Sequence, residues 1–178
     1  MEVTIRRCVP EHVAEHRAIQ LEMVRDAPTA FWMTAAEALS RTEADWLQEL
    51  DERICFHAVD AAGRVIGALD ILPVPYTDEH ELPEDAVNLV GMYVSPSARG
   101  TGVSSALMAR AQEYASAMGR PVFCLDVASS EAHAIRAYER MGFRATGAVE
   151  PHPRCPDVVW RTFRRDPEVS PRSARARR

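Results

Sequence analysis

The spacing of apolar residues near the N-terminus predicts a strand followed by a helix. Val3 and Ile5 alternate with polar neighbours, which predicts a short first strand. Apolar residues then recur at helical spacing from Pro10 to Val24, and Pro28 ends this predicted helix.

Two capping boxes introduce the next helical stretch. Segments 34–37 (Thr-Ala-Ala-Glu) and 42–45 (Thr-Glu-Ala-Asp) each carry an acidic residue three positions after a threonine. This pattern predicts helix as far as about Leu50. Apolar strands over 53–60 and 64–72 then surround a turn that ends in glycine, so a hairpin is expected.

The rest of the chain alternates buried strands with helices. Loop 73–85, with three prolines and five acidic residues, leads into 86–94, a nearly all-apolar run typical of a central strand. The remaining patterns predict a helix from Gly102 to Gly119, a strand over 122–127 and a helix from Ser129 or Ser130 to Gly142. Two closing strands follow, one from Phe143 onward and one over 158–163. The order predicts one α/β domain over residues 1–164, with a mixed, mostly antiparallel sheet of six or seven strands flanked by four helices.

Charge is distributed unevenly along the 178 residues. The formal net charge is −5, but residues 1–150 carry 13 arginines against 23 acidic residues, whereas residues 151–178 carry 8 against 3. The acidic body disfavours a nucleic-acid groove, which needs clustered basic residues, and suits a cationic substrate. The Arg-rich segment 165–178 has low complexity and is expected to be a disordered tail.

Membrane and secretion signals are not evident in the sequence. No apolar run approaches the ~20 residues of a membrane helix, and the first residues lack the apolar core of a signal peptide. The four cysteines are far apart and form no Cys-x-x-Cys pair, which favours free thiols in a reducing compartment. We therefore expect a cytoplasmic protein without a membrane or nucleic-acid partner.

Segment 99–102 (Arg-Gly-Thr-Gly) has the composition of an anion-binding turn. Pro96 ends the preceding apolar strand, and an amphipathic helix follows the turn at once. Glycines let the backbone come close to a phosphate, and the unpaired N–H groups of the first helical turn point at it. Arg99 adds a positive charge, so this segment is expected to bind a phosphate group.

A second motif follows the next predicted strand. Segment 125–127 (Leu-Asp-Val) precedes 131–134 (Glu-Ala-His-Ala), Tyr138 and 142–143 (Gly-Phe). Together with 99–104 (Arg-Gly-Thr-Gly-Val-Ser), this pattern resembles the GCN5-related N-acetyltransferase (GNAT) family, which joins acetyl-coenzyme A to an amine. The order of predicted elements fits that family over more than nine-tenths of the chain.

The resemblance implies acetyl-coenzyme A as co-substrate and no metal. Its pantetheine chain would lie in a V-shaped opening between strands 86–94 and 122–127, with the pyrophosphate on the glycine turn. The implied cofactor-binding residues are Met92, Tyr93, Val94, Arg99, Gly100, Thr101, Gly102, Val103, Ser104, Ser105, Glu131 and Tyr138. Ser104 stands where the family has Gly or Ala, and Glu131 replaces the usual Asn, where an acidic side chain suits the first turn of its helix.

The resemblance also implies two catalytic positions. A backbone N–H near Met92, freed by a strand bulge, would stabilise the oxyanion, and Tyr138 would protonate the departing thiolate. Without the resemblance, Tyr138 is more simply an aromatic residue on the core face of its helix. The family's usual carboxylate position falls on Asn88, which cannot accept a proton at neutral pH. The general base stays open among Asp70, His57, Asp126 and Tyr93.

The implied reaction transfers an acetyl group to a primary amine, of a small molecule in our preferred interpretation, by direct attack in a ternary complex. A protein acetyltransferase acting on a lysine or an N-terminus, and a non-catalytic acyl-coenzyme A-binding domain, are the alternatives. The resemblance makes a homodimer an expected assembly. Phe31, Trp32 and loop 73–85 are expected to line the acceptor pocket, while Trp46 and Trp160 pack in the core or at its rim.

Several histidines have a simpler explanation than metal binding. His12 and His16 lie one helical turn apart beside Glu15, a spacing that can bind zinc, but polar residues on an exposed helix face account for them. His152 lies in a proline-rich loop without further ligands at metal spacing, and His133 is expected to be solvated.

Overall fold

The computed structural model describes residues 2–77 and 81–167, and its centre is a seven-stranded sheet. The strands are β1 (Val3–Arg7), β2 (Ile54–Asp60), β3 (Val65–Leu72), β4 (Ala86–Val94), β5 (Val122–Ala128), β6 (Arg144–Pro151) and β7 (Val159–Arg165). They lie in the order β1-β2-β3-β4-β5-β7-β6, and every neighbouring pair is antiparallel except β4 and β5. The predicted α/β class and mixed sheet are confirmed.

The described part of the chain contains five α-helices, one more than expected. They are α1 (Val13–Asp26), α2 (Ala35–Ser40), α3 (Glu43–Glu52), α4 (Val103–Ala117) and α5 (Ala132–Arg140). The stretch expected to run to Leu50 divides into α2 and α3 because Arg41 takes an extended conformation between them. Both predicted capping boxes form, with Thr34 and Thr42 each accepting a hydrogen bond from the backbone three residues on.

Helices pack on both faces of the sheet. On one face, α4 contributes Leu107 and Ala111 to the larger apolar cluster, which includes Leu69 and Phe123 of the sheet. On the other face, α1, α2 and α3 form a smaller cluster in which the side chain of Trp46 is completely buried. The sheet is thus covered over its centre, as the apolar β4 segment indicates.

Gly67 in β3 allows α4 to approach the sheet closely. A Cβ at this position would lie 3.0 Å from the Tyr93 carbonyl oxygen and 3.1 Å from Cγ1 of Val103, the first residue of α4. The absent side chain therefore fixes the start of α4 directly beside the end of β4. This placement brings the glycine turn to the edge of the sheet opening described below.

Two predicted segments lie partly outside the described residues. Residues 78–80 of the acidic loop and residues 168–178 of the tail are not described. β7 continues through Arg165, one residue beyond the predicted end of the domain. Among the helices that the structure describes, none has the length and apolar character needed to cross a membrane.

Candidate active site

Strands β4 and β5 separate part-way along their length. Their parallel pairing covers only residues 86–88 and 122–124, and it ends at the pair Asn88 and Cys124. Both strands continue beyond this point, to Val94 and Ala128, without pairing to each other. The opening predicted between the two strands is confirmed, and the edge of β4 that faces β5 is left available to an extended ligand.

β4 carries a bulge beside this opening. Its register with β3 shifts between the pairs Asp70–Val90 and Ala68–Tyr93, so Gly91 and Met92 lie opposite a single residue. Gly91 adopts a φ of +60°, a conformation that L side chains rarely take. The bulge expected near Met92 is confirmed, and it removes the Met92 backbone from the regular ladder.

The glycine turn has an open, strongly curved backbone. Gly100 and Gly102 have φ values of +76° and +90°, and a Cβ at either position would meet no atom within 4 Å. The first hydrogen bond of α4 runs from the Ala106 N–H to the Gly102 carbonyl, so the N–H groups of residues 103–105 precede it. These groups and the positive end of the helix dipole fit a diphosphate.

Arg99 is more constrained than the sequence suggests. Its guanidinium forms an ion pair with Asp26 of α1, and its Nε donates a hydrogen bond of 3.1 Å to the Val94 carbonyl. It also lies over the Tyr93 ring, 5.8 Å from the centroid. Arg99 therefore holds the turn against the end of β4, and the Asp26 carboxylate offsets part of its charge.

Tyr138 extends from α5 toward the same opening. Its ring packs edge-on against Phe143 at a centroid distance of 5.5 Å. Burial raises the pKa of the phenol, so the hydroxyl stays protonated at neutral pH. A protonated phenol at the mouth of the opening is the form that a general acid requires.

A cavity of about 440 Å³ begins at the opening and extends beneath α1 and α3. Its size is that of a small-molecule site. The wall combines aromatic and apolar side chains with a few polar ones: Gln20, Met23, Ala30, Phe31, Trp32, Met33, Arg41, Glu49, Arg53, Leu72, Tyr76, Thr77, Leu89, Val90, Gly91, Met92, Asp126, Val127, Glu131, Ala134, Tyr138 and Trp160. Phe31, Trp32 and, from loop 73–85, Tyr76 and Thr77 are among these residues.

Aromatic residues form one side of this cavity. The exposed Trp32 stacks on Trp160 at 5.4 Å, and His152 stacks on Trp160 at 5.0 Å. Arg154 donates hydrogen bonds to the carbonyls of Phe31 and Trp32, which holds the segment after α1 against the loop between β6 and β7. Trp32 is 59% exposed, so it belongs to the rim, whereas Trp160 is buried.

The expectation that His16 lies on an exposed helix face is wrong. His16 is completely buried, its Nε2 lies 3.2 Å from Glu49 Oε1, and its Nδ1 lies 3.2 Å from His57 Nε2. Burial, together with His16, lowers the pKa of His57 to about 3, so His57 is neutral at pH 7. Sequence spacing misses this cluster because its members come from α1, α3 and β2.

Glu49 contributes to both this cluster and the cavity wall. Burial alone would raise its pKa, but the hydrogen bond from His16 and the charges of Arg53 and Arg41 lower the pKa to about 2. Glu49 is therefore ionised at neutral pH, and its negative charge is shared by three partners.

The buried cluster brings several potential metal ligands together. Cys8, His16 and His57 lie close to one another, as do His16, Cys55 and Asp70. In the described residues both ring nitrogens of His16 make polar contacts, one with Glu49 and the other with His57. These contacts hold α1, α3 and β2 together.

Asn88, at the point where β4 and β5 separate, has no role as a base. It is completely buried, and its side-chain amide donates a hydrogen bond of 3.0 Å to the Val74 carbonyl. This contact fixes the start of loop 73–85. Two other carboxylates line the cavity: Asp126 accepts a hydrogen bond of 2.7 Å from Thr162, and Glu131 lies beside Thr29.

A sequence model of the Acetyltransferase (GNAT) family matches residues 19–143, which include the opening, the bulge, the glycine turn and Tyr138. The chain belongs to this family. Human N-acetyltransferase 8 is 28% identical to it over 115 residues, which are 65% of this chain and 48% of the human protein. The GNAT chain spans less than half the length of the curated relatives it matches, between 40% and 48%.

Solved structures share the fold of this GNAT chain. A phosphinothricin acetyltransferase from Sinorhizobium meliloti, in complex with acetyl-coenzyme A, has a TM-score of 0.74 at 19% identity, with 93% of this chain and 88% of that chain covered. A putative acetyltransferase from Salmonella typhimurium, with its cofactor acetyl-coenzyme A, has a TM-score of 0.73 at 18% identity, with 96% of each chain covered. At these identities the likeness concerns the fold.

Proposed function

We propose that this chain is an acetyl-coenzyme A-dependent N-acetyltransferase that acetylates a primary amine of a small molecule by direct attack in a ternary complex. The observation that carries the proposal is the alignment of three features along one edge of β4. They are the open glycine turn, the unpaired strand edge and the bulge at Met92. Together they provide for a diphosphate, an extended pantetheine chain and a thioester carbonyl, in that order.

The residues present fit acetyl-coenzyme A as the co-substrate. The N–H groups of residues 103–105 would hold its pyrophosphate, and the backbone of residues 92–94 would pair with the pantetheine amides as an added strand does. The bound thioester supplies the acetyl group. The predicted binding positions Gly100, Thr101 and Gly102 would act through their backbone, since the Thr101 hydroxyl donates a hydrogen bond of 2.6 Å to the Ala98 carbonyl.

Two groups of the chain would act at the reacting atoms. The Met92 backbone N–H would stabilise the negative charge that develops on the carbonyl oxygen, an interaction worth about 10²–10³ in rate in other enzymes. Tyr138 would donate its proton to the sulfur as the carbon–sulfur bond breaks. The raised pKa of its phenol means that Tyr138 still holds this proton at neutral pH.

The cavity supports a small-molecule acceptor. Its volume is about 440 Å³, and its wall includes Phe31, Met33 and Trp160. These side chains favour an amine that carries an apolar or aromatic group. Asp126 and Glu131 add negative charge that attracts an ammonium group.

Two alternatives remain distinct from this proposal. A Brucella melitensis protein described as a ribosomal-protein-alanine N-acetyltransferase shares the fold. The first alternative is therefore that the acceptor is the N-terminus of a protein. A domain that binds acyl-coenzyme A without turnover would share the same opening. A homodimer belongs to the proposal as well, since β6 is an exposed edge strand throughout its length.

Thiol release from acetyl-coenzyme A tests the proposal. The purified protein is assayed with 2-phenylethylamine, putrescine, free amino acids and basic peptides, and acetyl-coenzyme A is tested in parallel for its effect on the melting temperature. Turnover with a small amine supports the proposal, and turnover with peptides alone favours the protein acetyltransferase. A raised melting temperature without any thiol release indicates the non-catalytic domain.

A further inference from the structure

We propose that Asp70 of β3 accepts the proton of the acceptor amine, through a water molecule seated in the gap that Gly91 leaves in the cavity wall. The inference rests on the proposed acetyl transfer and assigns its general base. Asp70 is opposite Val90 in the sheet, immediately before the bulge that presents the Met92 N–H. Asp70, as the base, and the Met92 N–H, as the oxyanion donor, would thus lie at the same end of the β3–β4 pairing.

The missing side chain of Gly91 connects Asp70 to the cavity. A Cβ at position 91 would lie 3.3 Å from Asp70 Oδ2 and 3.9 Å from Gln20 Nε2. Gly91, Gln20 and Val90 all line the cavity. At this point only Gly91 separates the Asp70 carboxylate from the cavity. A larger residue at position 91 would fill the gap.

The polar groups around the gap suit a bridging water. Gln20 Nε2 donates a hydrogen bond of 3.2 Å to Asp70 Oδ2, which is also the carboxylate oxygen nearest the gap. An ionised carboxylate oxygen can accept a second hydrogen bond, so Oδ2 can bind an ordered water as well. A water held by Asp70 and Gln20 has two polar partners and faces the amine.

Burial makes the Asp70 carboxylate a stronger base than an exposed one. Burial raises its pKa, while the charges of His16 and Arg53 oppose that rise. Five titratable groups of the described residues surround Asp70. They are His16 of α1, Glu49 of α3, Arg53 directly after α3, Cys55 of β2 and Cys8 directly after β1. Arg53 Nη1 lies 3.9 Å from Asp70 Oδ2, so its charge still favours the ionised form.

The protons of the reaction balance with this assignment. An acceptor ammonium loses two protons as its nitrogen bonds to the acetyl carbon and the carbon–sulfur bond breaks. One proton passes through the water to Asp70 before the attack and leaves from there to solvent. Tyr138 protonates the thiolate, and the second proton of the amine restores the phenol. No oxidant, reductant or metal takes part in these steps.

Other titratable groups near the cavity fit the role of general base less well. Glu49 has a pKa of about 2 and is held by three partners, which makes it a poor proton acceptor. His57 is buried and does not line the cavity. Asp126 lies on β5, on the opposite side of the opening from the bulge, and one of its oxygens is engaged by Thr162. Asp126 is the competing candidate that an experiment has to separate.

The test is the pH dependence of kcat/KM in thiol release for the wild type, Asp70→Asn and Asp126→Asn. The acceptor is 2-phenylethylamine, or the amine of the panel above with the highest activity. We expect Asp70→Asn to lower kcat/KM about 10²-fold or more at pH 7. Its rate should then rise in proportion to hydroxide, because only amine that is already neutral reacts, while the wild type levels off above the pKa of its base. Asp51→Asn, an exposed substitution in α3, serves as the control with a wild-type profile.

Asp70→Ser provides a second variant if Asp70→Asn does not fold. Its hydroxyl does not take up the proton, so we expect the same linear pH profile and an unchanged affinity for coenzyme A by calorimetry. A wild-type pH profile in Asp70→Asn or in Asp70→Ser, or a linear profile in Asp126→Asn alone, would overturn the assignment while the acetyl transfer stands. Absence of thiol release from the wild type with every acceptor would instead remove the proposed function, and this assignment with it.

Discussion

Replacing Glu49 by glutamine removes the negative charge that links α1 to the two arginines flanking α3 at the cavity wall. Glu49 is 4% exposed and pairs with His16, Arg41 and Arg53. These partners outweigh burial and lower the pKa of Glu49 from 4.5 to about 2. At 1.36 kcal/mol per pKa unit, this difference corresponds to about 3 kcal/mol. We expect Glu49→Gln to lose about that much free energy of unfolding at pH 7, since its partners are left without the charge.

The pH dependence follows from the direction of the shift. A carboxyl group whose folded-state pKa is lowered stabilises the fold fully above its unfolded pKa of 4.5, and this contribution is lost as the pH falls toward about 2. The difference in unfolding free energy between the wild type and Glu49→Gln should therefore be largest at pH 7 and decrease from about pH 5 to about pH 3.

Urea unfolding followed by circular dichroism measures this difference at each pH. Asp51→Asn is the matched control, because it removes an exposed carboxylate from the same helix and should change stability by no more than about 0.5 kcal/mol. A loss below about 1 kcal/mol for Glu49→Gln, the upper value for an exposed ion pair, would refute the reasoning. A loss of equal size at pH 7 and pH 3 would refute it as well.

Three further substitutions test the site and the fold. Tyr138→Phe should lower kcat about 10²-fold or more and leave the calorimetric affinity for coenzyme A unchanged; an unaltered kcat would exclude the phenol as general acid. Gly67→Ala should cost about 1–3 kcal/mol in urea unfolding, because the new methyl group meets the Tyr93 carbonyl at 3.0 Å, and an unchanged stability would contradict that close approach. Trp32→Ala should raise the KM for an aromatic amine and hardly alter the melting temperature, since Trp32 is exposed; an equal KM would remove it from the acceptor pocket.

Local signals in the sequence account for most of the fold. The capping threonines Thr34 and Thr42 fix where α2 and α3 begin, because a side-chain oxygen satisfies backbone N–H groups that the helix cannot. The apolar run of β4 places that strand at the centre of the sheet. These features depend on neighbours within a few residues, so the sequence alone shows them.

Contacts between distant residues explain what the sequence could not show. His16 meets His57 and Glu49, which are 41 and 33 residues away, and only the assembled fold turns that side of α1 inward. The link between Asp70 and the cavity likewise depends on the β3–β4 register. Gly91 did carry a signal, since an isolated glycine within a strand pattern indicates a bulge.

The proposed reaction requires that the glycine turn and the unpaired edge of β4 hold acetyl-coenzyme A. Calorimetric titration of the wild type, Ser105→Glu and Ala117→Glu with acetyl-coenzyme A measures this binding. Both substitutions are at exposed positions of α4, and a glutamate in the first turn favours the helix while repelling a diphosphate. We predict one binding site per chain, with at least about a 10-fold weaker affinity, or 1.4 kcal/mol, in Ser105→Glu and wild-type affinity in Ala117→Glu. No binding by the wild type, or equal affinity in all three proteins, would contradict the account.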